Sequence, residues 1–134
     1  MLRDLIDKVA WVTGAGTGIG EGGAVALAEA GMHVVLSGRR EDKLQQVAER
    51  CSGRASIEVL DVADQTAVSA VAERIIEKFG RIDVLLASAG INVKDRNWHN
   101  LSVADWDSVI RIDLDGAFYC CKAVLPTMKA QREG

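Results

Sequence analysis

The chain has 134 residues, 49% of them apolar, and no low-complexity run, a length that fits one domain of roughly 100 to 200 residues. Sixteen Lys and Arg are interspersed with 19 Asp and Glu, for a net charge of -3, so there is neither a basic stripe for nucleic acid nor an acidic tail. No apolar run approaches the roughly 18 uncharged residues of a membrane span, and Met1 to Lys8 mixes charges into its apolar positions, so a cytoplasmic protein without a membrane partner is expected. Cys51, Cys120 and Cys121 are an odd number without metal-ligand spacing; buried free thiols and no metal are expected.

Apolar runs of strand length alternate with helical patterns, which points to βαβ units feeding a parallel sheet. Lys8 to Thr13 reads as the first strand. Gly18 to Ala30 follows as a helix with Ile19, Val25, Leu27 and Ala28 on one side, closed by Gly31. His33 to Ser37 is the second strand and Glu41 to Cys51 the second helix, with Leu44, Val47 and Ala48 facing inward. Ser56 to Leu60 is the third strand. Asp64 caps the next helix, whose stripe is Val68, Val71, Ala72, Ile75 and Phe79 and whose stop is Gly80. Asp83 to Ala87 is the fourth strand, and a loop from Ser88 to Leu101 leads to Ser102, which forms a capping pair with Asp105. The last helix carries Trp106, Val109, Ile110, Leu114, Phe118 and Val124 toward Pro126, and its tail from Lys129 to Gly134 is polar.

Thr13 to Gly20 (TGAGTGIG) lies between a strand and a helix, the setting that makes a glycine pattern a specific phosphate-binding signal. Gly14 turns the chain out of the strand, Gly18 leaves no side chain between backbone and pyrophosphate, and Gly20 permits close helix packing. Thr17 and Ile19 lie in the same turn, where free N–H groups and the helix dipole face an anion. Glycines at such a turn can also serve packing alone.

The spacing TGxxxGxG resembles that of the short-chain dehydrogenase/reductase family. Asp61-Val62 resembles its step beside the adenine ring, Phe79 to Leu85 its entry to the fourth strand, and Ala87-Ser88-Ala89-Gly90 its NNAG motif. Trp106 to Pro126 resembles its long fourth helix. The resemblance covers nearly the whole chain and implies an α/β fold, a Rossmann-type doubly wound parallel sheet in the order 3-2-1-4, ending after the fourth strand and its helix. It also implies hydride transfer between a small-molecule alcohol and a carbonyl, and a homo-oligomer formed through the helix over residues 102–130. Two departures stand out. Ser88 replaces an asparagine and keeps only part of a side-chain amide's hydrogen bonding across the sheet, while the backbone of Ala89 and Gly90 still passes the ribose and nicotinamide. Asp113 occupies the place of the family's relay asparagine; as a carboxylate it accepts but does not donate, and its alternative role is that of a helix residue satisfied by water or backbone.

An NAD-binding turn usually presents an acid about 20 residues past the glycines. Here Ser37-Gly38-Arg39-Arg40 has none, and Arg39 offers a planar fork to a 2′-phosphate, so NADP(H) is expected over NAD(H), the alternative being two arginines solvating a loop. The family's proton donor is a tyrosine four residues before a lysine, after a fifth strand. Tyr119 precedes Lys122 by three positions, inside the segment matched to the fourth helix. Residues 1–134 therefore read as the N-terminal dinucleotide-binding part of one domain without the catalytic Ser, Tyr and Lys, inactive alone and prone to self-association, with Trp106, Phe118 and Val124 of the last helix expected to be exposed. His33 and His99 have no evident acid or nucleophile partner, and Val93 and Trp98 are the loop residues that could reach a substrate. The alternative reading is a non-catalytic nucleotide-binding or assembly module. A methyltransferase is disfavoured by Gly38.

Overall fold

Strands β1 (Val9–Thr13), β2 (His33–Gly38), β3 (Ala55–Val59) and β4 (Val84–Ala87) form one parallel sheet in the order β3-β2-β1-β4. The computed structural model describes residues 5–134, so the first four residues of the Met1–Lys8 segment lie outside the described residues. The register pairs Trp11 with Val35 and with Leu85, and Val12 with Leu36 and with Leu86. Helices α1 (Gly18–Glu29) and α2 (Glu41–Glu49) cover one face, and α3 (Gln65–Phe79) and α5 (Gly116–Gln131) the other; α4 (Val103–Val109) precedes α5.

Because side chains alternate across a strand, β1 feeds two cores. Ala10 and Val12 join Val34, Leu36, Ala24, Leu44 and Val47 on one side. Val9 and Trp11 join Val35, Val68, Ile75 and Val124 on the other. Both faces being covered explains why β1 and β2 read as unbroken apolar runs rather than alternating ones. The indole N–H of buried Trp11 donates to Ser37 Oγ at 2.9 Å, which satisfies both polar groups inside the core and pins the β1–β2 register.

Two helix ends follow the sequence closely. Asp64 caps α3, accepting from the N–H of Ala67 at 3.0 Å, and Gly80 ends it in the left-handed region at φ 73°. Ser102 caps α4 by accepting from the N–H of Asp105 at 3.0 Å. Elsewhere the structure corrects the expected pattern. Of the expected stripe on α1, Ala28 is buried and Val25 and Leu27 are half-buried against the same core, but Ile19 is 81% exposed, and the closest approach to the sheet is made by Gly20, Ala24 and Ala28. The cause is distance: a Cβ on Gly20 would lie 2.1 Å from the carbonyl oxygen of Gly14, so α1 approaches β1 too closely for any but small side chains.

The last helix is not one regular helix. Ile110–Asp115 between α4 and α5 is a π-helical segment, and α5 runs through Pro126 to Gln131. Its polar tail is tied down, since the Gln131 amide accepts from the N–H of Ile82 at 3.0 Å and donates to the Ile82 carbonyl at 2.9 Å. Val124, expected on the exposed face, is buried in the core shared with α3, while Trp106, Leu114, Phe118 and Leu125 are exposed. Of the three thiols Cys51 and Cys120 are buried and Cys121 is exposed. Burial pushes Cys120, with Cys121 adding to it, up to about 12, so it is inert as a nucleophile.

Among the described residues no helix is long and apolar enough to cross a membrane.

Candidate functional site

The C-terminal ends of all four strands open into one cleft. The side on which successive strands are added reverses at β1, with β2 and β3 on one side of it and β4 on the other, and such a switch point leaves a crevice where ligands bind in open α/β sheets. Gly14, Gly16, Thr17, Gly38, Arg39, Arg40, Asp61, Val62, Ala89 and Gly90 line it, so each segment singled out in the sequence contributes.

Each glycine of the first turn has a separate reason. Gly14 has φ 62°, and a Cβ there would meet the Ala89 nitrogen and the Ser88 carbonyl oxygen at 2.6 Å, so the strand-leaving turn and the chain leaving β4 touch backbone to backbone. Gly18 has φ 58°, a conformation that strains an L side chain, although a Cβ there would meet nothing within 4 Å. Thr17 is the N-cap of α1 in extended conformation, but its side chain makes no capping hydrogen bond. Arg40, at the N-cap of α2, makes none either. The side chains of Asp64 and Ser102 cap α3 and α4, whereas α1 and α2, whose N-cap residues Thr17 and Arg40 line the cleft, have no side-chain cap. This uncapped, glycine-lined turn fits a pyrophosphate in its size, hydrogen-bond donors and dipole.

The second wall comes from β2 and β3. Gly38 passes its carbonyl to the N–H of Leu60 at 2.9 Å, which holds the two strand ends level. Arg39 and Arg40 are exposed at the rim, and Lys43 and Leu44 from α2 complete that wall. Asp61 is fixed in a turn, accepting from the N–H of Ala63 at 3.0 Å, and Val62 beside it is buried. Gly116 secures Val62 from behind: a Cβ there would come within 2.6 Å of Val62 Cγ2.

The third wall is the chain leaving β4. The hydrogen bond across the sheet expected from the Ser88 side chain is made by backbone instead, with the N–H of Ala89 reaching Thr13 Oγ1 at 3.4 Å. Thr13 is buried, so the contact costs no side-chain freedom beyond what packing already removes. Asp113 Oδ1 accepts from the N–H of Ile91 at 2.8 Å, which binds the π-helical segment to this wall.

Gly18, Ile19, Gly20, Ser88 and Asp113 are next to the cleft but not on its lining, and neither is Tyr119, which packs against the α3–α5 core. Val93 is half-buried, while Trp98 is exposed and meets Trp106 edge-on at 6.1 Å. His33 hydrogen-bonds Ser56 Oγ at 2.8 Å and stacks on Phe79, and His99 lies in an exposed loop; neither is on the cleft lining. Sequence reading missed Lys43, Leu44, Leu60, Ile91 and Ile112. Lys43 and Leu44 carried a usable signal, since the first turn of a helix that follows a strand in this fold opens onto the same crevice.

Comparisons with known proteins agree with this geometry. The family model described as short chain dehydrogenase matches residues 8–134. An uncharacterized oxidoreductase of Staphylococcus aureus (strain MRSA252) is 41% identical over 132 residues, covering 97% of this chain and 56% of that protein. One from Staphylococcus saprophyticus is 40% identical over 135 residues, covering 98% and 57%. The chain thus spans about half the length of the curated relatives it matches. Among solved structures, a metagenomic short-chain oxidoreductase in complex with NADP superposes with a TM-score of 0.91 at 31% identity, over 97% of this chain and 61% of that one. An NAD+-bound xylitol dehydrogenase does so with a TM-score of 0.92 at 31% identity, over 97% and 51%. A glycine turn under an uncapped helix, a strand order that reverses at β1, and a family match over residues 8–134 lead to one conclusion: the chain belongs to the short-chain dehydrogenase family.

Proposed function

We propose that residues 1–134 are the dinucleotide-binding part of a single Rossmann domain of an oxidoreductase that transfers hydride between an alcohol and a carbonyl. The cofactor is a nicotinamide dinucleotide, with NADP(H) favoured over NAD(H). The observation that carries this reading is the cleft itself, which brings the glycine turn, the Gly38–Arg40 segment, the Asp61–Val62 step and Ala89–Gly90 onto one surface.

The residues divide the work by position. The N–H groups at the start of α1, around Thr17, Gly18, Ile19 and Gly20, hold the pyrophosphate, with Gly14 setting the turn. Asp61 and Val62 bound the adenine, the carboxylate accepting from an amino group and the buried valine giving the ring an apolar face. Ala89 and Gly90 let the ribose and nicotinamide pass close to backbone, with Ser88 behind them. The bound nicotinamide supplies or takes the hydride. The neighbouring structures hold NADP in one case and NAD+ in the other, so the fold admits both. At the end of β2, Gly38 offers no carboxylate to two ribose hydroxyls, and Arg39 offers a fork suited to a 2′-phosphate.

Tyr119, the only tyrosine, is turned into the α3–α5 side, so the cleft presents no phenol for proton transfer. This reading gives the chain cofactor binding and places the acid-base chemistry outside it. It also assigns the exposed apolar residues of the segment 102–130 to contact with a second copy. Calorimetric titration with NADP+ and NAD+, paired with a hydride-transfer assay on simple alcohols, tests it. The expected result is NADP+ bound about tenfold or more tighter than NAD+, as one added charge-assisted contact provides, and no turnover. Binding of neither cofactor overturns the reading.

A further inference from the structure

The glycine turn from Thr13 to Gly20 contains no basic residue, so any cation in the cleft must come from elsewhere. The lining residues include three, Arg39, Arg40 and Lys43, against a single carboxylate, Asp61. All three cations lie on the segment joining β2 to the first turn of α2. That turn lies across the glycine turn. A Cβ on Gly16 would be 3.1 Å from Lys43 Cβ and 3.8 Å from Leu44 Cδ2, and one on Gly38 would be 3.4 Å from Leu44 Cδ2.

Lys43 differs from the arginines beside it. Arg39 and Arg40 are exposed, whereas Lys43 is half-buried because its stem occupies the space that a side chain at position 16 would fill. Among the described residues none of the three forms an ion pair, and the Lys43 ammonium has only a long 3.5 Å contact to Gln46 Oε1. Glu41 and Asp42, the acids of the same helical turn, are exposed and contribute nothing to the lining. The ammonium is therefore held near the cleft on a packed stem, uncompensated by a carboxylate partner, which lowers the entropy lost when an anion arrives.

We propose that Lys43 is a specificity-determining residue, the second cation, with Arg39, on the 2′-phosphate of the adenosine ribose. A phosphomonoester carries close to two negative charges at neutral pH. Arg39 meets it as a planar fork from the end of β2, and Lys43 meets it as a point charge from α2, the glycine turn having no basic residue of its own. Gly16 is part of the same device, since a larger residue there would displace the lysine stem. This inference rests on the preference for NADP(H) proposed above.

The test measures NADP+ and NAD+ affinities for the wild type, Arg39→Ala, Lys43→Gln and Lys43→Arg, with the melting temperature of each. The ratio of NADP+ to NAD+ affinity is expected to fall about tenfold in Lys43→Gln, to be largely kept in Lys43→Arg, and to change with no shift in melting temperature. An unchanged ratio in Lys43→Gln, alongside a reduced one in Arg39→Ala, overturns the role of Lys43 and leaves the cofactor preference standing. Equal loss of both cofactors in Lys43→Gln marks a structural residue and also overturns it. Equal affinities in the wild type overturn the preference itself, and the inference with it.

Discussion

Asp113 Oδ1 accepts the backbone N–H of Ile91 at 2.8 Å, so a carboxylate in a π-helical segment holds the chain where it leaves β4. The same carboxylate lies against Gly90, which lines the cleft, at 3.4 Å from where a Cβ would be. An asparagine can present the same acceptor; an alanine leaves the N–H to water. Asp113→Asn is expected to keep cofactor affinity within about twofold, and Asp113→Ala to lower it about fivefold with about 1 kcal/mol of stability, the net value of one such hydrogen bond. Titration and thermal unfolding of the two variants check this, and equal behaviour of both would show that the contact is incidental.

Two glycines of α1 should respond in opposite directions. Gly20→Ala places a Cβ 2.1 Å from the Gly14 oxygen, so α1 must shift away from β1, at a cost of about 2 kcal/mol or more typical of overpacking. Gly22→Ala meets nothing within 4 Å in a helix interior and should stabilise by up to about 1 kcal/mol. Denaturant unfolding of both variants measures the contrast.

The same turn shows what the sequence could and could not convey. The caps at Asp64 and Ser102 follow from local patterns, while the strand order and the convergence of Arg39, Asp61 and Ala89 follow from the resemblance to the short-chain dehydrogenase/reductase family. Ile19 was misplaced on the inward side of α1 because hydrophobicity ranked it above Gly20, when distance to Gly14 decides which residue fits. The π-helical segment was invisible because one extra residue in a turn barely alters apolar spacing over Val109 to Leu114. Its effect is tertiary, aiming Asp113 at Ile91 and Gly116 at Val62. Val124 was expected to be exposed, yet it packs in the core with Val68 and Ile75 of α3. The position of Lys43 on the cleft was signalled by its place in the first turn of α2, but its packing against Gly16 was not, being a contact between segments distant in the chain.

Stability should fall as the solution is acidified below neutrality. Burial, with Lys78 and Arg54 nearby, holds the His33 imidazole below its ordinary value of 6.5. The unfolded chain then binds a proton more readily than the folded one, so stability is full above 6.5 and is lost as pH falls from there through the depressed folded value. Asp83 adds a second loss further into acid. Burial opposes its charge, but Arg81, the N–H of Val9 and Lys8 together hold it below its ordinary 3.8, so its contribution disappears as pH falls below that. Melting temperatures of the wild type and His33→Gln from pH 8 to pH 5 should diverge as pH drops, with the variant flatter; parallel curves would remove His33 from the account.

Phe118, Leu125 and Trp106 remain 58%, 51% and 47% exposed on the last helical segments. Phe118 and Leu125 are two turns apart on one face, with exposed Cys121 between them. The proposed contact with a second copy predicts that Phe118→Ser with Leu125→Ser moves the chain toward monomer in sedimentation velocity, without lowering NADP+ affinity more than about twofold. A wild type that sediments as a monomer at high micromolar concentration contradicts that contact.

The central claim is that this chain holds a nicotinamide dinucleotide in the cleft at the C-terminal ends of β1 to β4. Amide shift mapping by NMR during titration with NADP+ tests it most directly. The account predicts saturable shifts concentrated at Gly14 to Gly20, Gly38 to Leu44, Asp61 to Val62 and Ala89 to Ile91, with NAD+ leaving the Arg39–Lys43 group less affected. Saturable shifts centred elsewhere, such as the α3–α5 groove around Tyr119, or no shifts at all, would contradict it.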